Sequence, residues 1–265
     1  MTNTVAAIGS NFLGFARYMG GLGYLVRDGV ACLVMGTLRG KGGIRRRETV
    51  VQMTRFSVKS MGIVSLVIFF VGMILAFQMA YVLGNLGLVP YVADIIGIGM
   101  AREMGPLLVG MVMTGYAGAS IAAEIGTMVV SEEVVALESS ALDPVRFLVV
   151  PRVLAAMIVM PMVTLIAIYV GCLGGFVVGV SFLDMDKIEY VGRTIDSLTM
   201  NDLVTGLVKA EMFGILIAGI ACYEGLSVSN GAEGVGRATT NAVVRSIVAL
   251  IISDLLFTAA CFALF

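Results

Sequence analysis

The chain has 265 residues, of which 59% are hydrophobic and 13% charged, and its formal net charge is −1. Soluble domains carry about 25% charged residues, so this chain has too few charges to cover a water-exposed surface of its size. The sequence contains no histidine, which excludes histidine metal ligands and Ser-His-Asp triads. The overall charge gives no indication of nucleic-acid binding.

The first 48 residues are predicted to form an interfacial helix followed by a basic juxtamembrane segment. Residues 11–38 are apolar but are interrupted by Arg17, Arg27 and Asp28. This pattern favours a helix that lies in the membrane interface over one that spans the bilayer. The basic run at residues 41–47 would then lie against anionic headgroups. A sixth span is the alternative, and it would move the N-terminus to the opposite side.

Residues 49–265 are predicted to form one transmembrane domain with five spanning helices. Residues 61–93 and 153–183 contain no charged side chain, and each stretch is longer than the ~20 residues that cross a bilayer. Most of the 17 lysines and arginines precede residue 60 or lie in the links after the second and fourth spans. The positive-inside rule therefore predicts a cytoplasmic N-terminus and a C-terminus on the other side. The predicted spans cover residues 62–83, 98–122, 151–180, 203–223 and 242–265.

The cytoplasmic link between the second and third spans is longer than a simple connection requires. Ser131 and the dipeptide Asp143-Pro144 are helix-start signals. We therefore expect an amphipathic helix over about residues 124–143 that lies along the cytoplasmic surface and contacts a partner. A helix that only lies in the interface is the alternative. The residues assigned to the partner contact are Glu124, Glu132, Glu133, Val134, Leu137, Glu138 and Asp143.

Four of the charged residues within the predicted spans are candidates for a functional role. Arg102 and Glu103 are adjacent, so they point about 100° apart on a helix and each needs its own partner. Because charges inside a membrane usually face a cavity or a partner, we expect these two to line a substrate path. Anchoring at a helix end is the alternative. Lys209 and Asp254 are predicted to form an ion pair between spans four and five, although separate polar contacts would also satisfy them.

Several segments of the chain form a distinctive set of motifs. They are Arg102-Glu-Met-Gly-Pro106, Glu124-Ile-Gly-Thr-Met128, Ala136-Leu-Glu138, Asp143-Pro-Val-Arg146, Val150-Pro-Arg152 and the loop at residues 231–246. In combination these motifs resemble the MlaE/YrbE family of ABC-transporter permeases, over about residues 50–265. The stretch at residues 115–120, Gly-Tyr-Ala-Gly-Ala-Ser, departs from the family because it lacks an arginine that the family often has there.

The resemblance implies a homodimeric permease of the bacterial inner membrane. It implies that the cytoplasmic helix is a coupling helix that docks on a separate ATPase subunit, which binds ATP and Mg²⁺. An MCE-type lipid-binding protein would lie on the outer side, and phospholipid would be the cargo. The first span borders the lipid cavity in such permeases, so Phe77, Gln78 and Tyr81 are assigned to the substrate path. Ordinary helix packing is the alternative for these three.

No catalytic residue, cofactor or metal site is expected in the chain itself. It contains no GxxxxGK[ST] nucleotide-binding motif, so ATP hydrolysis is assigned to another subunit. Two other functions remain open. One is an ion-coupled secondary transporter that uses Glu103, Lys209 and Asp254, and the other is a non-transporting membrane scaffold of an envelope complex.

Overall fold

In the computed structural model, the described residues are 20, 21, 23, 24, 27 and 46–264. Within these ranges the chain forms helices and turns and contains no β-strand. Five of the helices are long and apolar enough to cross a membrane. The prediction of an all-α integral membrane protein is thus confirmed. The predicted interfacial helix and basic segment at residues 1–48 lie almost entirely outside the described residues.

The five spans are joined by short turns and by two shorter helices. The first span is α1 (Arg46–Gly84). The second covers Val89–Val130 and contains α2 (Val92–Gly99), α3 (Gly105–Met113) and α4 (Ala119–Val130). The short helix α5 (Glu133–Ser139) leads to the third span, Val145–Phe182, which ends in α6 (Val150–Phe182). The helix α7 (Lys187–Ser197) precedes α8 (Met200–Leu226) and α9 (Gly231–Leu264), the fourth and fifth spans.

All five predicted spans are present, and each is longer than predicted. The first begins at Arg46 instead of residue 62, and the second continues to Val130 instead of residue 122. Hydropathy identifies only the part of a helix that suits lipid, whereas backbone hydrogen bonding continues into the flanking charged turns. For the same reason the predicted cytoplasmic helix over residues 124–143 is wrong in its bounds. Its first part belongs to α4, and the separate helix is α5.

The two short helices mark opposite ends of the bundle, because α5 follows the second span and α7 follows the third. We call these the α5 end and the α7 end. Asp143 begins the third span as predicted: its Oδ1 accepts a hydrogen bond from the Val145 amide at 2.9 Å. At the α7 end, Asp186 accepts bonds from the first amides of α7. Thr199 and Asp202 form a capping box at the start of α8.

Three π-helical turns interrupt the α-helical spans, at Met100–Met104, Thr114–Gly118 and Val145–Val149. The first and third directly precede Gly105-Pro106 and Val150-Pro151. Proline lacks an amide donor, and its ring clashes with the carbonyl four residues earlier in an α-helix. The wider turn relieves this clash, since the Gly105 amide bonds instead to the Met100 carbonyl, five residues back.

The first and third spans pack through their backbones. A Cβ atom on Gly72 would overlap the Gly171 carbonyl, and one on Gly174 would overlap the Phe69 carbonyl. Small residues allow this close approach, which favours helix association in lipid. The fifth span is the least buried of the five, and many of its large apolar side chains are exposed in the single chain, Leu255 and Leu256 among them. Spans one to four therefore form the core, and α9 lies at its edge.

Candidate functional site

A cluster of charged and polar side chains joins three spans inside the bundle. Lys209 Nζ lies 2.6 Å from Glu103 Oε2 and 3.0 Å from Asp254 Oδ1. It also donates to Thr258 Oγ1 at 2.7 Å, and that hydroxyl donates to Glu103 Oε1 at 2.9 Å. We call these four residues the charge cluster. The structure therefore brings Lys209 and Asp254 together and adds Glu103, which the sequence analysis assigned to the substrate path.

The charge cluster lies within the membrane-spanning part of the bundle. Lys209 is nine residues from the start of α8 and Asp254 is ten residues from the end of α9, or about 14 and 15 Å from the α7 end. The Lys209 side chain is only 1% exposed. Its ammonium group donates hydrogen bonds to Glu103 and Thr258 and forms an ion pair with Asp254, and these contacts offset the cost of burying the charge. One lysine faces two carboxylates, so the cluster can hold a cation or a proton in addition.

Arg102 has its own partner, as expected from its angle to Glu103. Its Nε lies 3.5 Å from Asp202 Oδ1. Asp202 also serves in the capping box at the start of α8. The Arg102 side chain remains 50% exposed, so its guanidinium group can still contact an anionic group that approaches from the α7 end.

The three substrate-path residues of the first span lie on its exposed side. Tyr81 and Gln78 are exposed, and Phe77 packs edge-on against Phe182 of the third span with ring centroids 5.1 Å apart. Their assignment to a lipid path stays a prediction.

At the α5 end, a second ion cluster ties the first three spans together. Glu124 lies 2.6 Å from Arg55 and 3.2 Å from Arg152. Arg152 is buried and also donates to the Leu148 carbonyl at 2.8 Å. Glu124 therefore holds α1, α4 and α6 together. It was assigned to the partner contact, but its two carboxylate oxygens are already engaged within the chain.

Three of the other residues assigned to partner contact line a groove beside α5. No residue of α5 is fully buried. A cavity of about 410 Å³ is lined by Glu133, Val134 and Leu137 of this helix and by Phe147 and Leu148 of the third span. Glu132 and Glu138 are exposed beside it. An exposed helix over an apolar groove is a suitable binding surface for another protein.

The local path into α5 differs from the predicted one. Ser131 ends α4 instead of starting the next helix, and its hydroxyl bonds to the Thr127 carbonyl at 2.9 Å. Glu132 takes a left-handed conformation with φ of 61°. This conformation is uncommon for a residue with a Cβ atom. The resulting sharp turn separates α5 from the spanning helix.

The family of the chain follows from comparison with known proteins. The family model described as "Permease MlaE" matches residues 49–260. The chain belongs to the MlaE permease family. The match covers all five spans, so this membrane protein is a permease of that family.

Relatives extend the similarity to nearly the full chain. A probable ABC transporter permease protein of Rickettsia felis is 37% identical over 258 residues, which are 97% of each chain. The intermembrane phospholipid transport system permease protein MlaE of Haemophilus influenzae is 30% identical over 265 residues, 99% of this chain and 98% of its own. The chloroplastic protein TRIGALACTOSYLDIACYLGLYCEROL 1 of Arabidopsis thaliana is 34% identical over 214 residues, 81% of this chain and 61% of its own.

Several members of the two ion clusters were not predicted from the sequence. No ion pair was predicted for Asp202, Arg55 or Arg152. Thr258 carries no charge, so no signal distinguished it from other small residues of the fifth span. Four residues separate it from Asp254, which places both on one helix face. That spacing could have indicated their shared contact with Lys209.

Proposed function

We propose that this MlaE-family permease is the membrane subunit of an ATP-driven phospholipid transporter. In this proposal two copies of the chain form the transport pathway, and a separate ATPase subunit binds ATP and Mg²⁺ and docks at the α5 end. An MCE-type lipid-binding protein receives or delivers lipid at the α7 end. The observation that carries the proposal is α5 itself, an exposed helix over an apolar groove within a chain of the permease family.

The α5 surface supports a mechanical link to a motor protein. The Glu124 ion pairs connect α4, the helix that precedes α5, to both the first and third spans. A force applied to α5 would therefore reach three spans through charged contacts as well as through the backbone. Val135 is exposed on α5, whereas Val134 and Leu137 line the groove.

Two observations support phospholipid as the cargo. The Haemophilus relative is named as part of an intermembrane phospholipid transport system. In this chain, half-exposed Arg102 lies at the α7 side of the charge cluster and could bind a lipid phosphate. The exposed apolar surface of α9, which lies at the edge of the core, would contact the second copy or the acyl chains.

The distribution of basic residues supports the orientation. The ends of the third and fifth spans at the α5 end contain Arg146, Arg152, Arg237 and Arg245, and most other basic residues precede position 60. We therefore place the α5 end in the cytoplasm, with the N-terminus, and the C-terminus in the periplasm of a bacterium, with the protein in the inner membrane.

An ion-coupled secondary transporter is the second candidate, and the charge cluster favours it. Two carboxylates around one buried lysine could exchange a proton or cation during transport. Reconstitution of the chain with its ATPase and with fluorescent phospholipid separates the two candidates. We expect lipid movement that needs ATP and that stops with a hydrolysis-deficient ATPase. Movement that continues without ATP and follows an ion gradient would refute the ATP-driven proposal.

Site-specific photo-crosslinking tests the docking surface directly. A photoreactive amino acid at Val135 should capture the ATPase in native membranes. A matched control at Val191, an exposed valine of α7 at the other end of the bundle, should not. Capture from neither position, or from Val191 alone, would remove the α5 end as the ATPase contact.

A further inference from the structure

The helix α7 has three chemically different faces. At 100° per residue, their centres lie roughly 120° apart around the helix axis. One face is packed against the bundle, one is apolar and exposed, and one is acidic and exposed. The packed face contains Tyr190, Thr194 and Ser197, the apolar face contains Ile188, Val191 and Ile195, and the acidic face contains Glu189 and Asp196.

The packed face places α7 beside the spans and not above them. Tyr190 is buried, and its ring lies against Gly175 and Gly179 of α6. A Cβ atom on Gly175 would lie 2.8 Å from the Tyr190 hydroxyl oxygen, so glycine is needed for this close approach. Thr194 packs in the same way against Gly97 of α2, where an added Cβ would lie 3.2 Å from its methyl group. Both contacts are with the spanning helices themselves.

The distance along α6 sets the depth of this contact. Gly175 and Gly179 are 23 and 27 residues beyond Arg152, or about 35 and 40 Å along the helix. Arg152 is the last charged residue before the charge-free part of the third span. A bilayer is about 40–45 Å thick when its headgroup regions are included. With Arg152 near one surface, α7 lies in the headgroup region of the opposite leaflet.

The apolar face has no partner in the single chain. Ile188 is 82% exposed, and Ile195 and Val191 are also exposed. Phe182 and Met200, at the ends of the flanking spans, are exposed as well. The acidic face points away from the apolar face. Arg193 lies beside the acidic face and is paired within the chain, with Glu189 at 3.3 Å and Asp94 at 3.5 Å.

We propose that α7 is a membrane-surface helix, and that its Ile188–Val191–Ile195 face binds lipid at the boundary between headgroups and acyl chains. One side rests on the bundle, the second enters the leaflet at the α7 end, and the acidic third faces water. This division matches that of amphipathic helices that lie in the plane of an interface. A protein that approached the α7 end from the aqueous side would meet the acidic face first, so lipid is the better occupant of the apolar one.

The absence of tryptophan from the sequence allows a direct test. Ile195→Trp and Asp196→Trp each introduce a single indole on neighbouring positions of α7 that belong to different faces. The full chain would be placed in nanodiscs of phosphatidylethanolamine and phosphatidylglycerol, with or without phosphatidylcholine brominated on its acyl chains. We expect blue-shifted emission and several-fold stronger quenching by the brominated lipid for Ile195→Trp. Aqueous iodide should preferentially quench Asp196→Trp.

A further apolar-face variant and a repeat of the measurement in native membranes make each outcome decisive. Ile188→Trp should behave like Ile195→Trp, because both positions lie on the apolar face. Equal iodide quenching of all three variants would overturn the proposal. The apolar-face variants could instead be protected from iodide only in native membranes and show no quenching by brominated lipid. That result would overturn the proposal in favour of a protein partner. The measurement involves no transport, so it is independent of the proposed function.

Discussion

Replacing Lys209 by methionine removes the cation from the charge cluster and keeps the volume of its aliphatic stem. Glu103 and Asp254 would then face each other within the membrane without their shared partner, which now lies 2.6 and 3.0 Å from them. Removal of one partner from a buried ion pair costs about 3–5 kcal/mol. At about 2–4 °C per kcal/mol, as in soluble chains of comparable size, the unfolding temperature should fall on the order of ten degrees.

A thiol-reactive fluorescent dye can measure this unfolding in detergent. Cys222 is fully buried, so it becomes available to the dye when the bundle opens. The triple variant Lys209→Met, Glu103→Gln, Asp254→Asn is the matched control. It removes all three charges, and neutral replacements of buried ion clusters are often tolerated. The reasoning is refuted if Lys209→Met unfolds at the parent temperature, or if the triple variant is no more stable than the single one.

Three further predictions concern other contacts. Gly72→Leu should prevent close packing of the first and third spans and yield aggregated protein on size-exclusion chromatography. The control Gly62→Leu, at a position in open space, should stay monodisperse. Equal aggregation of the two variants would contradict close backbone packing at Gly72. Arg152→Ala should lower the unfolding temperature more than Arg55→Ala, because Arg152 is buried and the half-exposed Arg55 pair is worth about 0–1 kcal/mol. A larger fall for Arg55→Ala would be evidence against this ranking by burial. Burial raises the pKa of Tyr190, so the folded state keeps its phenol proton to higher pH than the unfolded state does. The stability that the buried phenol contributes is therefore complete below about pH 10 and is lost as the pH rises above it. Tyr190→Phe should therefore lose less stability between pH 9 and 11 than the parent (about one unit either side of the unfolded pKa), and identical pH profiles would count against the burial of this phenol.

Long charge-free stretches made the first and third spans predictable from the sequence. The cost of burying charge in lipid restricts such stretches to membrane spans, so residues 61–93 and 153–183 identified two spans directly. Lys209 and Asp254 were placed together from their depths along neighbouring helices. This argument needed only the rise per residue and the adjacency of consecutive spans.

Features that depend on the packing of distant helices could not be predicted. Glu103 joins Lys209 because the second span lies against the fourth, and no local pattern in the sequence indicates that neighbour. Glu124 resembled a surface residue of the α5 end because the two arginines that bind it lie 69 and 28 residues away. The bounds of α5 were also mistaken, since the left-handed turn at Glu132 has no distinctive residue such as glycine.

The π turn at Met100–Met104 fixes which way Glu103 faces. A π turn holds one residue more than the α-helical turn it replaces, so the chain before it is rotated by about 100° relative to a continuous helix. Deletion of one residue from this turn would leave the composition of the span almost unchanged. It would still rotate every side chain between Val89 and the deletion about the helix axis. Alignments of related permeases should therefore tolerate substitutions around Gly105-Pro106 more readily than a change in length, because length here determines whether the carboxylate meets the lysine.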